Sequence, residues 1–351
     1  MKKCPYCDFN SHEGGDDQHY VETLLADLDA ELDFVQNREL VSIFIGVGTP
    51  SLLSAKALSQ LLAGIGERLD FSKDIEISLE SNPGTFELEK FSDFKAAGIN
   101  RLSIGVQSFF DQHLQALGRI HSAEEALNAC TQASLIFDNI NIDLMYGLPA
   151  QTAEQCLSDV EQALALSPQH LSFYQLSIEP NTYFSKYPPS LPEVDSIWQM
   201  GEQAMERLQT AGLERYEVSA YGQASKHNLN YWQFGDYLGI GAGAHGKITQ
   251  VENNRIIRTL KPKSPKDYLA APVAKTVDIN NRVFDFMLNA LRLKHGFTPE
   301  LFTQTTGISL DEIQPTLARA QNLALLEVSE TCIKPSAKGY NFLNDLQEMF
   351  L

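Results

Sequence analysis

Cys4 and Cys7 form a CxxC in a short polar segment near the start of the chain. Two thiolates at that spacing suit half of a zinc site, a redox pair or part of an iron–sulfur cluster. Zinc needs two more ligands at matching spacing, and no second CxxC or HxxxH follows. A redox pair is expected between a strand and a helix, and only three residues precede Cys4. A second set of polar residues sits where apolar segments end: Glu80, Gln107, Arg119 and Asp143. The guanidinium fork of Arg119 suits a carboxylate, and the Asp143 carboxylate suits sugar hydroxyls. A third group is the string His227-Asn228-Leu229-Asn230-Tyr231-Trp232. Its imidazole can ligate iron, and Tyr231 and Trp232 offer flat faces to a large ring. His245, within a glycine-rich string, is a second candidate imidazole. Cys130, Cys156 and Cys332 lie in apolar segments and read as buried thiols. A total of five cysteines with no export signal argues against a disulfide framework.

The elements that must position these residues alternate. Leu40–Ile45, 74–80, 101–106, 139–145 and 170–177 read as strands rich in Ile, Leu, Val and Phe. Between them 55–69, 87–97, 123–135 and 153–166 read as helices, with another at 20–36 before the first strand and one at 196–211 before a short strand near 216–219. Repeated βα units imply a parallel sheet wrapped by helices, with the chemistry at the C-terminal ends of the strands. Gly46–Ser51, Glu80–Pro83, Gln107–Ser108 and Asp143–Pro149 all fall there. Beyond about Pro272 the pattern becomes three helices, a small hairpin at 325–334 and a last helix at 337–350, a winged-helix-like module. The expected domains are therefore 1–220, a partial α/β barrel; 221–275, a connecting segment with the HNxxYW string; and 276–351, the small C-terminal domain.

Composition narrows the function. Lys and Arg total 27 against 45 Asp and Glu, a net charge of −18 that repels phosphate backbones. Together with the lack of a basic recognition helix, this argues against a DNA-binding role for the C-terminal module. No apolar run approaches the roughly 18 residues of a membrane span, and no secretory signal opens the chain, so a cytoplasmic location is expected.

The longer string Cys4-Pro-Tyr-Cys7-Asp-Phe-Asn-Ser-His12 resembles the radical S-adenosylmethionine superfamily, and its HemW-type branch in particular. So do Phe44-Ile-Gly-Val-Gly-Thr-Pro-Ser51, Ser78-Leu-Glu-Ser-Asn-Pro83, Ser103-Ile-Gly-Val-Gln-Ser108, Leu117-Gly-Arg-Ile-His121, Asn141-Ile-Asp-Leu-Met-Tyr-Gly-Leu-Pro149 and the HNxxYW string. The resemblance implies a radical SAM partial (β/α) barrel, a [4Fe-4S] cluster held in part by Cys4 and Cys7, and S-adenosylmethionine held by Tyr6, Gly48, Thr49, Glu80, Gln107, Arg119 and Asp143. It further implies haem at His227, Asn228, Tyr231 and Trp232. The implied partners are a haem-acceptor protein, one transiently membrane-associated acceptor being conceivable, and no nucleic acid. The alternative within the superfamily is an oxygen-independent coproporphyrinogen III oxidase. Such oxidases resemble CxxxCxxCxC, and Phe9 stands here where the additional cysteine would be.

Two departures matter. Val47 replaces the middle glycine of the family's GGGTPS loop, adding bulk where the backbone approaches the cofactor. The superfamily motif is CxxxCxxC, which places the first cysteine immediately before Met1, preceded by the first barrel strand. The expectation is thus a barrel lacking its first strand and a cluster site one thiolate short. Anaerobic reconstitution of the 351-residue chain is expected to give little or unstable [4Fe-4S] cluster. An extension ending in cysteine before Met1 is expected to restore it. Equal iron and sulfide content in both proteins would refute this.

Overall fold

Period-two alternation in the strands decides the architecture. The computed structural model describes residues 4–8, 17–46, 53–84 and 90–351. They form two compact units. The first gathers Met1–Leu25, Glu39–Arg215 and Ser219–Ala224; the second gathers Ala26–Arg38, Tyr216–Val218 and Ser225–Leu351.

The first stretch of chain runs α1 (Asp17–Glu31), β1 (Leu40–Ile45), α2 (Ala55–Gly66), β2 (Phe71–Ser81), α3 (Phe91–Ala97), β3 (Arg101–Gln107), α4 (Asp111–Ala116), α5 (Ala123–Ile136), β4 (Ile140–Tyr146), α6 (Ala153–Ala165), β5 (His170–Gln175), α7 (Tyr183–Lys186), α8 (Val194–Thr210), β6 (Arg215–Glu217) and β7 (Ala220–Gly222). The sheet order is β1-β2-β3-β4-β5-β7-β6, parallel from β1 to β5, with β7 antiparallel to β5. This is the half-barrel the alternating pattern requires, with β1 outermost among the described residues.

One face of each central strand is apolar. Ile77 and Leu79, Leu102, Ile104 and Val106, Ile142 and Leu144, and Leu171 and Phe173 pack with helix residues such as Leu58, Phe94, Cys130, Val160 and Ala204 in one core. The intervening residues are polar: Ser78 and Glu80, Arg101 and Ser103, Asn141 and Asp143, His170 and Ser172. Helix starts follow the local sequence. Ser122 and Thr152 close capping boxes with Glu125 and Gln155, so α5 and α6 begin where the sequence puts them.

The second unit holds α9 (Lys226–Trp232), β8 (His245–Gln250), β9 (Arg255–Leu260), α10 (Pro265–Ala270), β10 (Lys275–Asp278), α11 (Arg282–Ala290), α12 (Pro299–Thr306), α13 (Gln314–Asn322), β11 (Leu326–Val328), β12 (Ile333–Pro335), α14 (Ala337–Asn341) and α15 (Leu343–Glu348). The strands β10-β9-β8 form an antiparallel sheet that no apolar run marks in the sequence. The single last helix expected over 337–350 is two helices, broken at Phe342, whose φ of −115° and ψ of 46° leave the helical region. Cys332 also departs from expectation: it is only partly buried, in the turn of the β11–β12 wing, with Sγ 3.1 Å from the His295 carbonyl oxygen. The core of this unit centres on Phe286, with Phe297 and Phe302 edge-on at 4.8 and 5.1 Å between ring centroids. Among the described residues, no helix is long and apolar enough to cross a membrane.

A buried ionic cluster fastens this unit. Lys261 donates to Asp27 and lies 2.6 Å from Glu31, and the Tyr268 hydroxyl donates to Asp27 at 2.7 Å. The three charged side chains are 1%, 0% and 3% exposed. Removing the cation leaves two carboxylates facing each other away from water. Lys261→Met is therefore expected to cost about 3–5 kcal/mol in urea unfolding, with partial recovery when Glu31→Gln is added. A loss under about 1 kcal/mol would show that the cluster rearranges freely.

Candidate functional site

The described part of the cysteine segment is fastened at the strand ends of the first unit. Cys7 N–H donates to the Cys4 carbonyl at 3.2 Å, closing a turn, and the Pro5 carbonyl accepts from Phe184 N–H at 2.9 Å. Tyr6, inside that turn, packs on an apolar cap of Leu117, Met145, Leu148, Leu176 and Phe184. Gly118, at φ +67°, lies so close to Pro5 that a Cβ there would stand 2.6 Å from its Cδ; only glycine meets both demands.

Arg119 links this turn to the sheet. Its Nη1 lies 3.8 Å from Cys4 Sγ, and its Nη2 donates to Asn82 Oδ1 and the Gly105 carbonyl, both at 2.7 Å. Burial pushes the Tyr6 phenol up to about 12, with Arg119 opposing the shift, so the phenol stays protonated at neutral pH. His121 is pushed down to about 4, by burial first and then by the charge of Arg119, and its Nε2 donates to the Val106 carbonyl at 3.2 Å.

Gln107 and Asp143 stand at the same mouth. Gln107 has φ 73°, a left-handed conformation unusual for a side-chain-bearing residue, where the β3–β4 register shifts. Tyr174 holds its Oε1 through a 2.8 Å hydrogen bond. The next residues are gripped by Asp159 of α6, which accepts from Ser108 Oγ at 2.8 Å and Phe109 N–H at 2.6 Å. Glu80, near the end of β2, lies close to Gly46: a Cβ there would stand 2.3 Å from Phe44 Cε1 and 3.0 Å from Glu80 Cδ. Asp143 is half-buried, and desolvation raises its pKa, opposed first by the hydrogen bond from Asn141.

Asn141 organises the polar inner face. Its Oδ1 accepts from His170 Nδ1 at 2.6 Å and Ser172 Oγ at 3.1 Å. Its Nδ2 donates to Ser103 Oγ and Asp143 Oδ1, both at 2.7 Å. Burial holds His170 well below its usual pKa, so it is neutral, and donation to Oδ1 places its proton on Nδ1.

The HNxxYW string forms α9 in the second unit, with Ser225 capping it through the Asn228 N–H. Residues four apart share a helix face, so the string divides in two. Asn228 donates to the Tyr216 hydroxyl at 3.1 Å, and Trp232 stacks under Arg292 at 4.3 Å, whose fork reaches buried Glu217 at 3.1 Å. On the other face His227 meets Tyr231 edge-on, 4.8 Å between centroids, and Tyr231 meets Tyr237 at 4.3 Å. His245 opens β8 and is exposed.

Gly48 and Thr49, together with Val47 and Phe9, lie outside the described residues. Cys4 and Cys7, joined by one turn, are of the type and spacing for two of the three protein ligands of a site-differentiated cluster; among the described residues no group of three metal-ligating side chains forms. The structure brings Cys4, Tyr6, Arg119, Gln107 and Asp143 to the sheet's mouth. It adds residues the sequence reading passed over: Asn82, Asn141, Asp159, His170 and Tyr174. The polar parity of the strands was the available signal for Asn141 and His170. Asp159 lay on an amphipathic helix with nothing to mark it.

A half-barrel with polar residues gathered at its parallel strand ends defines the radical SAM class. A family model for the radical SAM superfamily matches residues 1–163, and one for the HemN C-terminal domain matches residues 277–342. The heme chaperone HemW of Escherichia coli (strain K12) is 46% identical over 361 residues, covering 100% of this chain and 95% of that protein. The heme chaperone HemW of Bacillus subtilis (strain 168) is 33% identical, covering 99% and 96%. The chain belongs to the HemW family. Its fold is also that of the coproporphyrinogen III oxidase HemN from Escherichia coli, with a TM-score of 0.81 at 21% identity, covering 99% of this chain and 87% of that one.

Asp159 gives the mouth a measurable signature. Burial raises it from 3.8 to about 7 in the folded protein. Over that interval the folded state binds more protons than the unfolded one, so this contribution to stability falls as pH rises. Asp159→Asn removes the term. Urea midpoints taken between roughly pH 4.5 and 7.5 are expected to fall more for the wild type than for the variant. A pH-independent difference would show an ionised Asp159 throughout.

Proposed function

We propose that this chain is a haem chaperone: it holds haem through the His227 face of α9 and passes it to an acceptor protein. The observation that carries this is the row formed by His227 and Tyr231 on one face of α9 and Tyr237 beyond its end, with Asn228 and Trp232 anchoring the helix. An imidazole beside aromatic rings is suited to an iron porphyrin. On this reading Asn228 and Trp232 serve haem by fixing the helix that presents His227 and Tyr231.

The first unit is the place for the cluster and S-adenosylmethionine, with Cys4 and Cys7 as thiolate ligands and Tyr6, Gly48, Thr49, Glu80, Gln107, Arg119 and Asp143 as cofactor contacts. Such a cluster, when bound, supplies an electron to the sulfonium. The chain's own residues do the positioning. Arg119 places positive charge against the Cys4 thiolate, Tyr174 aims the Gln107 amide, and Asn141 fixes one oxygen of Asp143 so that the carboxylate can accept from ribose hydroxyls. The working location is the cytoplasm, with an acceptor that is cytoplasmic or transiently membrane-associated, and nucleic acid is not a partner of a chain carrying −18.

Phe9 in place of an additional cysteine disfavours the oxidase alternative. The test uses ferric haem and coproporphyrinogen III. The chain is expected to bind haem, His227→Ala to shift the Soret band and weaken binding about tenfold or more, and the cluster-loaded protein to leave coproporphyrinogen III unconverted. Robust decarboxylation would overturn the chaperone reading. An unchanged haem spectrum in the variant would move the ligand to another residue, His245 first.

A further inference from the structure

The aromatic row on α9 continues past the motif and ends on a cation. Arg258, on β9, donates from Nη1 to the Tyr237 hydroxyl at 3.4 Å. Because that oxygen accepts, the phenol keeps its own proton to donate. We propose that Tyr237 and Arg258 form a carboxylate subsite that receives an acidic side chain of the porphyrin whose iron His227 ligates. This rests on the haem reading above and extends it to the porphyrin's periphery.

Three observations converge. The first is how loosely Arg258 is held. Its contacts, to Tyr237 at 3.4 Å and to Asp285 at 3.3 Å, lie at or beyond the long end of N–H···O bonds, and the ion pair is 35% and 25% exposed. Arg38 is bound to Asp236 at 2.7 Å and to two carbonyls, and Arg282 to two carbonyls and Asn254. Arg292 is stacked on Trp232 and paired with Glu217. Arg258 is the arginine beside this row with donor capacity to share.

The second is the chemistry of the row. Tyr231 meets His227 edge-on at 4.8 Å and Tyr237 at a tilt at 4.3 Å, so two neutral phenol rings lie in sequence between the imidazole and the Tyr237 hydroxyl. The row thus runs from an imidazole, through two neutral rings, to a phenol O–H and a guanidinium. A haem has the same order: iron at the centre, an apolar ring, carboxylates at one edge. The third is the field of the chain. A net charge of −18 repels an anionic ligand, so a carboxylate needs a local cation where it docks.

The experiment compares ferric haem with its dimethyl ester, which keeps the iron and ring but loses both negative charges. Each is titrated into the full chain and followed in the Soret region. The wild type is expected to bind haem about five- to tenfold more tightly than the ester, as for a partly exposed charge-assisted contact. Arg258→Gln should remove most of that preference by weakening haem while leaving the ester unchanged. Tyr237→Phe should remove a smaller part. Arg258→Lys, which keeps the charge, should retain some of the preference and shows whether a loss in the glutamine variant reflects misfolding. Equal affinity of the wild type for haem and ester, or an undiminished preference in folded Arg258→Gln, would overturn the subsite and leave the haem reading standing. Failure of both compounds to shift the Soret band would remove the haem reading itself, and the subsite with it.

Discussion

The first unit depends on one requirement: polar side chains on the inner face of a parallel sheet must be hydrogen-bonded where water does not reach. Parallel sheets usually bury both faces as apolar surface. Here the inner face carries Ser78, Arg101, Ser103, Asn141, Asp143, His170 and Ser172, of which Ser78 and His170 have no measurable exposure. Asn141 meets the requirement at the centre, with both lone-pair directions of its oxygen and both protons of its amide engaged. An unmatched buried polar group costs about 1–3 kcal/mol, so the network also fixes the register in which β3, β4 and β5 lie. Asp143 is oriented as a consequence of that network, and the carboxylate reaches the mouth already aimed.

The mouth follows a related logic. Its residues come from different loops, and each loop is tied to a neighbour by a specific polar or steric contact. Arg119 joins the cysteine turn to Asn82 and Gly105, and Gly118 lets that turn approach. Asp159 grips the chain just after the left-handed Gln107, and Gln151, which accepts from Leu148 N–H at 3.1 Å, reaches toward the same carboxylate at 3.5 Å. The strained backbone at Gln107 is held from outside the strand, the arrangement expected where geometry at a site outweighs local preference.

In the second unit, helical periodicity sorts a six-residue string into two jobs. Residues at spacing four lie together, so Asn228 and Trp232 hold the helix to Tyr216 and Arg292, and His227 and Tyr231 are left to face Tyr237. The Lys261, Asp27, Glu31 and Tyr268 cluster draws together the end of α1, the residue just after β9 and α10, with Tyr268 also accepting from Gly241 N–H at 3.0 Å in the glycine-rich string.

The amino-acid sequence by itself determined the alternation of strands and helices in the first unit, because period-two and period-3.6 apolar patterns are local and strong there. β1 runs from Leu40 to Ile45 and α5 starts at Ala123, as the pattern and the capping box require. It also determined that Glu80 and Gln107 stand at strand ends and Asp143 within β4, and the class of chemistry their company implies. The antiparallel sheet β8–β10 was not legible, since its short strands mix Lys, Arg, Thr and Gln with few apolar residues and owe their stability to cross-strand pairing. The break at Phe342 was hidden because an apolar pattern runs through it. The partners of Arg119, the hub at Asn141, the grip of Asp159 and the pairing of Arg258 with Tyr237 were decided only by the tertiary structure. Each joins residues 14 to 115 positions apart, and hydrogen-bond partners at such separations leave no periodic trace in the chain.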